Sequence, residues 1–232
     1  MKKYGIISAL DLEIQPCINA MQQTGVTKKI GLTFYEGFLH GIPIVAVAGG
    51  ICKTNAAICT QMLLMHFGVD AVIVCGTAGG MDTRLHIGDT VIVSVCAYHD
   101  VEDSILVKYP PYLQKSEFYA DVQLLELFQD AIQKNPPQQP VFYGLGVCGE
   151  QFIEQDGRDE IMDKFNPLCV DMETAAVAHA CYVHGAPFIG IRSISDTQEE
   201  SGEKNFALNC ALAADRSFAV LNLVFAHLQN RA

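Results

Sequence analysis

Short apolar runs rich in Val and Ile alternate along the chain with longer segments whose apolar residues recur at helical spacing. That alternation predicts an α/β layer fold. Strands are predicted at 3–9 (KYGIISA), 43–48 (PIVAVA), 71–76 (AVIVCG), 89–95 (DTVIVSV), 141–147 (VFYGLGV), 168–171 (LCVD) and 188–195 (FIGIRSIS). TFYEGFLHG at 33–41 is the expected hairpin partner of 43–48. Helices are predicted at 11–23, 54–67, 121–134, 157–165, 173–184 and 206–228. Gly68 and Gly185 follow two of them as C-terminal caps. KNPPQQP at 134–140 reads as a loop between elements, so a single domain over 1–232 is expected.

The same pattern places reactive groups just past the strands. Asp11 and Glu13 follow the first, GGICKTN the second, GTAGG the third, CGEQF the run at 141–147, Met172 and Glu173 the run at 168–171, and Asp196 the last. In open α/β sheets the ligand crevice lies at the carboxyl ends of strands. Glycines there admit a ligand close to the backbone, and carboxylates supply acid–base chemistry. A single carboxylate at such an end is a helix cap, and capping is the simplest account of Asp171 and Glu173 taken alone. Three carboxylates with three glycine-rich turns describe a site.

Composition narrows the partners. With 15 Lys plus Arg against 26 Asp plus Glu, the net charge is -11 and no basic stripe is present, which argues against nucleic acid. The nine cysteines are dispersed through apolar runs with no C-x-x-C pair, the pattern of reduced core thiols in a cytoplasmic protein rather than of a metal site. The start, MKKYGIISALDLEIQ, reads as a first strand and not as a signal peptide, and no run of about 18 uninterrupted apolar residues predicts a membrane span.

Several motifs fail on context. GLGVCG at 144–149 spells G-x-G-x-x-G, but its glycines fall inside the predicted strand and EQFIEQDG is a poor helix start. GGICKTN lacks the glycine spacing of a phosphate loop, and no G-x-S-x-G is present. His179 and His184 have no adjacent carboxylate pair and read as ordinary helix histidines.

GIISALDLEI, GTAGG, YHD at 98–100, QFI at 151–153, VDMETAAVAHAC and RSISD, in this order, resemble the 5'-methylthioadenosine/S-adenosylhomocysteine nucleosidases of the nucleoside phosphorylase superfamily. The resemblance covers nearly the whole chain. It implies a three-layer α/β/α fold around a central mixed sheet, no cofactor, and a homodimer. By the same resemblance Glu13 activates the attacking water and Asp196 protonates the leaving adenine. Glu173 holds the ribose hydroxyls above Met172, Phe152 stacks on the base, and the Ile153 backbone meets its edge. Ala78 and Gly79 line the pocket, and Arg192 helps hold the water near Glu13. Residue chemistry agrees, because glycoside cleavage calls for one carboxyl as acid and another as base. Asp171 replaces the family's more frequent Glu, and VEDSILVKYPPYLQKSEF at 101–118 departs from the usual stretch after YHD. That region shapes the 5' pocket in the family, so the choice among methylthioadenosine, adenosylhomocysteine, 5'-deoxyadenosine and an aminofutalosine-type substrate stays open. Two other readings remain at this point: a phosphorylase, for which the available cations are Lys53, Arg84 and Arg192, and a non-catalytic nucleoside sensor.

Overall fold

The computed structural model describes residues 2–231. Among these residues seven helices and ten strands run in the order β1 (Tyr4–Ser8), α1 (Asp11–Ala20), β2 (Gln22–Lys29), β3 (Leu32–Leu39), β4 (Ile42–Ala48), α2 (Lys53–Met65), β5 (Ala71–Gly80), β6 (Thr90–Tyr98) and α3 (Asp103–Lys108). They continue as β7 (Glu117–Tyr119), α4 (Val122–Lys134), β8 (Val141–Cys148), α5 (Arg158–Phe165), β9 (Cys169–Asp171), α6 (Thr174–His184), β10 (Phe188–Asp196) and α7 (Glu203–Gln229).

One mixed sheet holds all ten strands, in the order β10-β6-β8-β9-β5-β1-β4-β3-β2 with β7 on β6. Side-chain alternation along β1 shows why helices cover both faces. Tyr4 points to α7, its ring 5.3 Å from Phe225. Its neighbour Gly5 faces α2, where an added Cβ would meet Leu63 at 3.1 Å. Helices α1, α4 and α7 pack together on the first face, and α2 and α6 pair on the second. By length and composition α7 could cross a bilayer, yet it lies on β5 and β10 with Ala213, Ala214, Val220, Leu221, Val224 and Phe225 buried.

The sheet also closes on itself. β10 pairs with β5 in parallel as well as with β6, so β5, β10, β6, β8 and β9 form a ring. The closing link is short: Gly79 and Gly80 of β5 pair antiparallel with Val170 and Cys169 of β9. This corrects the reading of GTAGG as a turn after the third strand. β5 runs on through Gly80, because glycines let the strand pass close to other groups and meet two partners at once. The helix predicted over 11–23 stops at Ala20, and Gln22–Lys29 becomes an edge strand. The segment at 101–118 contains the short α3 and the start of β7. Gly185 caps α6 with a φ of 63°. Gly68 takes a left-handed φ of 61° just beyond α2.

Candidate active site

A cavity of about 490 Å³ opens where β5, β9 and β10 end beside the start of α1. Its lining includes Glu13, Ala78, Gly79, Phe152, Ile153, Met172, Glu173 and Asp196, so the fold brings together eight of the nine candidate residues from five separate stretches of chain.

Glu13 is the third residue of α1, where a carboxylate reaches back to the helix's own unpaired N–H groups. Its Oε2 accepts from Ala9 N and Leu10 N, each at 2.9 Å. Its Oε1 accepts from Thr77 N and Thr77 Oγ1, each at 2.7 Å. Three of these donors are fixed backbone amides. The fourth is a hydroxyl that can rotate, which frees a lone pair of Oε1 at the cavity wall.

Helix capping at Asp171-Met172-Glu173 falls to Asp171. Its Oδ1 accepts from Glu173 N at 2.9 Å and Thr174 N at 2.8 Å, and its Oδ2 from the Thr174 hydroxyl. The Glu173 carboxylate is thereby left to face the cavity, accepting from Cys52 N at 3.1 Å and Arg192 Nη2 at 3.2 Å. Burial pushes the Glu173 carboxyl up to about 7, with Asp171 and Glu13 adding to the rise and Arg192 and the Cys52 amide opposing it.

Arg192 lies close to Glu13 but is not among the residues that line the cavity. It donates to Thr174 Oγ1 at 2.9 Å, Thr77 O at 3.0 Å and Glu173 Oε2, and pairs with Asp171 Oδ2 at 3.2 Å. Burial alone would lower its proton affinity; Asp171, Glu173 and Glu13 more than offset this and hold it firmly charged. The reason for its position is the strand: residue 192 points into the β10–α6 interface, while Asp196, at the strand's end, reaches the cavity.

Asp196 is 2% exposed and accepts from Ser195 Oγ at 2.7 Å. Burial raises its carboxyl above the ordinary range, against the lowering effect of Ser195 and Arg158 and with help from Glu154. Phe152 is 36% exposed at the mouth, its ring edge-on to Phe206 at 5.9 Å, whereas Ile153 is buried on a small cluster with Met81, Val147, Ile161 and Val170. Thr77, Ser195, Phe206, Leu10, Ile51 and Glu203 also line the cavity and were missed from the sequence. Thr77 and Ser195 could have been found, since each lies next to a named residue on its strand. Phe206 and Glu203 belong to the first turn of α7, which begins earlier than its apolar spacing predicts.

The lining carries five carboxylates, Glu13, Asp171, Glu173, Asp196 and Glu203, and no lysine or arginine among the described residues. The three cations a phosphate-using site would need are all engaged elsewhere. Lys53 pairs with Asp100 at 2.9 Å, Arg84 with Asp82 at 2.7 Å, and Arg192 as above. Among the described residues no group of three or more His, Cys, Asp or Glu is arranged to hold a metal ion. His179 meets Tyr98 Oη at 3.3 Å and His184 meets Gln61 Oε1 at 2.6 Å, ordinary helix-surface contacts.

A closed mixed sheet with an acidic cavity at its strand ends defines the class: residues 3–226 match the family model of the phosphorylase superfamily. A 5'-methylthioadenosine/S-adenosylhomocysteine nucleosidase of Exiguobacterium sp. is 35% identical over 208 residues, covering 88% of this chain and 89% of that protein. The Neisseria meningitidis nucleosidase of the same name, solved with methylthio-immucillin-A, is 30% identical with a TM-score of 0.88, covering 98% of this chain and 100% of that one. The Colwellia psychrerythraea nucleosidase, solved with adenine, is 29% identical with a TM-score of 0.89, covering 98% of this chain and 96% of that one. The chain belongs to the 5'-methylthioadenosine/S-adenosylhomocysteine nucleosidase family within that superfamily.

Proposed function

We propose that this protein hydrolyses the N-glycosidic bond of 5'-substituted adenine nucleosides of the methylthioadenosine and adenosylhomocysteine type, releasing adenine and a free 5-substituted ribose. The observation that carries this reading is a cavity lined by several carboxyl groups and, among the described residues, by no lysine or arginine. An anionic nucleophile entering it would meet Glu13 and Glu173, and the cation behind them, Arg192, is already paired with Asp171 and Glu173, whereas water meets no such repulsion.

In this reading Glu13 takes a proton from water as its oxygen bonds to the anomeric carbon. The C–N bond breaks, its electron pair goes to the base, and Asp196 delivers a proton to N7, so adenine leaves neutral. A buried carboxyl whose proton affinity is raised suits that donor role. Glu173 accepts from the two ribose hydroxyls, Met172 packs beneath the sugar, and Phe152 and Ile153 hold the base. Ala78 and Gly79 form the wall beside sugar and base. Arg192 acts through Glu173, fixing its carboxylate. The chemistry assigns work to water and two carboxyl groups and calls for no cofactor.

The same reading takes the chain as one domain and as a cytoplasmic homodimer without nucleic-acid or membrane partners. Ile58 and Met65 of α2, Tyr182 and Val183 of α6, and Ile105 and Val107 of α3 are exposed apolar residues, and Leu106 lines one groove with α2 and α6. Apolar faces of this kind mark contacts. Light scattering at assay concentration tests the dimer, and a monomer mass removes it.

Adenine release is to be measured across methylthioadenosine, adenosylhomocysteine and 5'-deoxyadenosine, with and without phosphate. Turnover without phosphate, yielding free sugar, is expected. Turnover only with phosphate, yielding a sugar 1-phosphate, would establish a phosphorylase. Tight binding without turnover would establish a sensor.

A further inference from the structure

Arg158 opens α5 and is 2% exposed, although charged residues are rarely buried without a charged partner. Its bonds go to two backbone carbonyls, one at the end of β5 and one in the segment before α5. Nη1 donates to Gly80 O at 2.8 Å, and Nε donates to Glu154 O at 3.1 Å. Nη2 is buried with no partner among the described residues.

Each carbonyl adjoins a residue that lines the cavity, Gly79 in one case and Ile153 in the other. Gly80 ends β5 beside Gly79, which is paired across the ladder with Asp196 and comes so close that an added Cβ would lie 3.1 Å from Asp196 Oδ2. Glu154 directly follows Phe152 and Ile153. One guanidinium fork therefore ties the segment that meets the base to the strand that faces the acid. We propose that Arg158 is a positioning residue for base departure, holding the Phe152–Ile153 segment at a fixed distance from Asp196. The proposal rests on the reading of Asp196 as the acid given above.

A guanidinium does more here than a neutral tie could. Asp196 is faced by Arg158 from α5, by Glu154 from the segment before it, by Ser195 on its own strand, and across the cavity by Glu203 from α7. Asp159 faces Arg158 from α5. Burial alone raises the Asp196 carboxyl, Ser195 and Arg158 restrain that rise, and Glu154 adds to it. The cation thus keeps the buried acid able to release its proton. Neither effect requires Arg158 to touch substrate.

Two variants separate these effects. Arg158→Lys keeps the charge but cannot span both carbonyls with one nitrogen. It is expected to raise KM for the nucleoside and the Kd for free adenine roughly tenfold, within the range a displaced site residue produces, and to leave the pH profile of kcat in place. Arg158→Met removes the charge as well. Its alkaline limb is expected to move to higher pH, because Asp196 then holds its proton more tightly and the protonated acid is the working form. A role in stability alone would lower the melting temperature and move neither KM nor the limb. Parental KM and adenine affinity in the Lys variant, or a Met profile superimposable on the parental one, would overturn the proposal. If the Met variant does not fold, the Lys variant decides it by the same KM criterion. If the parental protein turns over no adenine nucleoside, the catalytic reading fails instead, and adenine binding by the Lys variant still tests the tie.

Discussion

Gly76→Ala alters no functional group, yet it is expected to disable the proposed water-activating carboxylate. Gly76 lies on β5 beneath Glu13, and a Cβ there would stand 2.8 Å from Glu13 Oε1, 3.1 Å from its Cδ and 3.0 Å from Arg192 Nη1. The shortest of these is about 0.6 Å inside ordinary contact distance, so a neighbour must move. Neither can move freely. Glu13 is pinned by four hydrogen bonds of 2.7–2.9 Å, and the Arg192 guanidinium is held by Thr77, Thr174, Asp171 and Glu173. Overpacking of this kind destabilises by about 1–3 kcal/mol, which for a chain of this size lowers Tm by roughly 2–12 °C. Displacing Glu13 by half an ångström or more is expected to lower kcat about ten- to hundredfold. KM should change little, because Phe152, Ile153 and Met172 are untouched. Steady-state kinetics with a thermal melt on the same sample measures both. A folded variant with parental kcat would refute the reasoning, since Glu13 would then tolerate displacement that no working base tolerates.

Asp196→Asn is expected to lower turnover of adenine nucleosides by about 10²–10⁴-fold while sparing a riboside with a nitrophenolate leaving group, because only the purine needs the proton; equal losses on both would remove the role as acid. Glu173→Gln places an amide between two protein donors, Cys52 N–H and Arg192 Nη2, so one donor loses its acceptor in either orientation at a cost of about 1–3 kcal/mol. The wild-type carboxyl stands near 7 in the folded state, above its ordinary 4.5. Its contribution to stability is therefore complete below pH 4.5 and lost as pH rises to about 7. The Gln variant should lose that slope in Tm between these values, and an unchanged slope would refute the assignment. Cys52, with φ 78° and ψ 161°, occupies backbone space suited to glycine, so Cys52→Gly is expected to stabilise by about 1 kcal/mol without loss of activity, as chemical denaturation would measure.

Much of the site was legible in the sequence because it lies at ends of buried strands, where apolar runs stop at a carboxylate. Glu13, Glu173 and Asp196 were found that way. The helix-cap question at Asp171 and Glu173 could not be settled from spacing, since either residue reaches the first turn of α6. Only the direction of each side chain decides it. Alternation alone would put Arg192 and Asp196 on one face of β10, and the register shift between Ile194 and Asp196, which lets only Asp196 line the cavity, is not readable from spacing. β2, with the polar sequence QQTGVTKK, escaped notice because an edge strand exposed on both faces carries no alternation to read. GTAGG misled for the opposite reason: glycines that signal a turn in isolation here permit a strand to approach Glu13, Asp196 and β9 together. Nothing local encodes the ring closure of the sheet, which depends on contacts between residues some 90 positions apart.

That ring has a consequence for how the protein fails. Thr77 to Gly79, Asp171 and Asp196 all hang from one hoop of strands, and β5, β9 and β10 each carry a ladder on both sides. Loosening any of them means parting two ladders at once, so partial opening of the catalytic end has no inexpensive route. Heat inactivation and loss of fold are therefore one event in this chain. Residual activity in a stressed sample counts the molecules still folded, and a folded but idle population is not formed along the way.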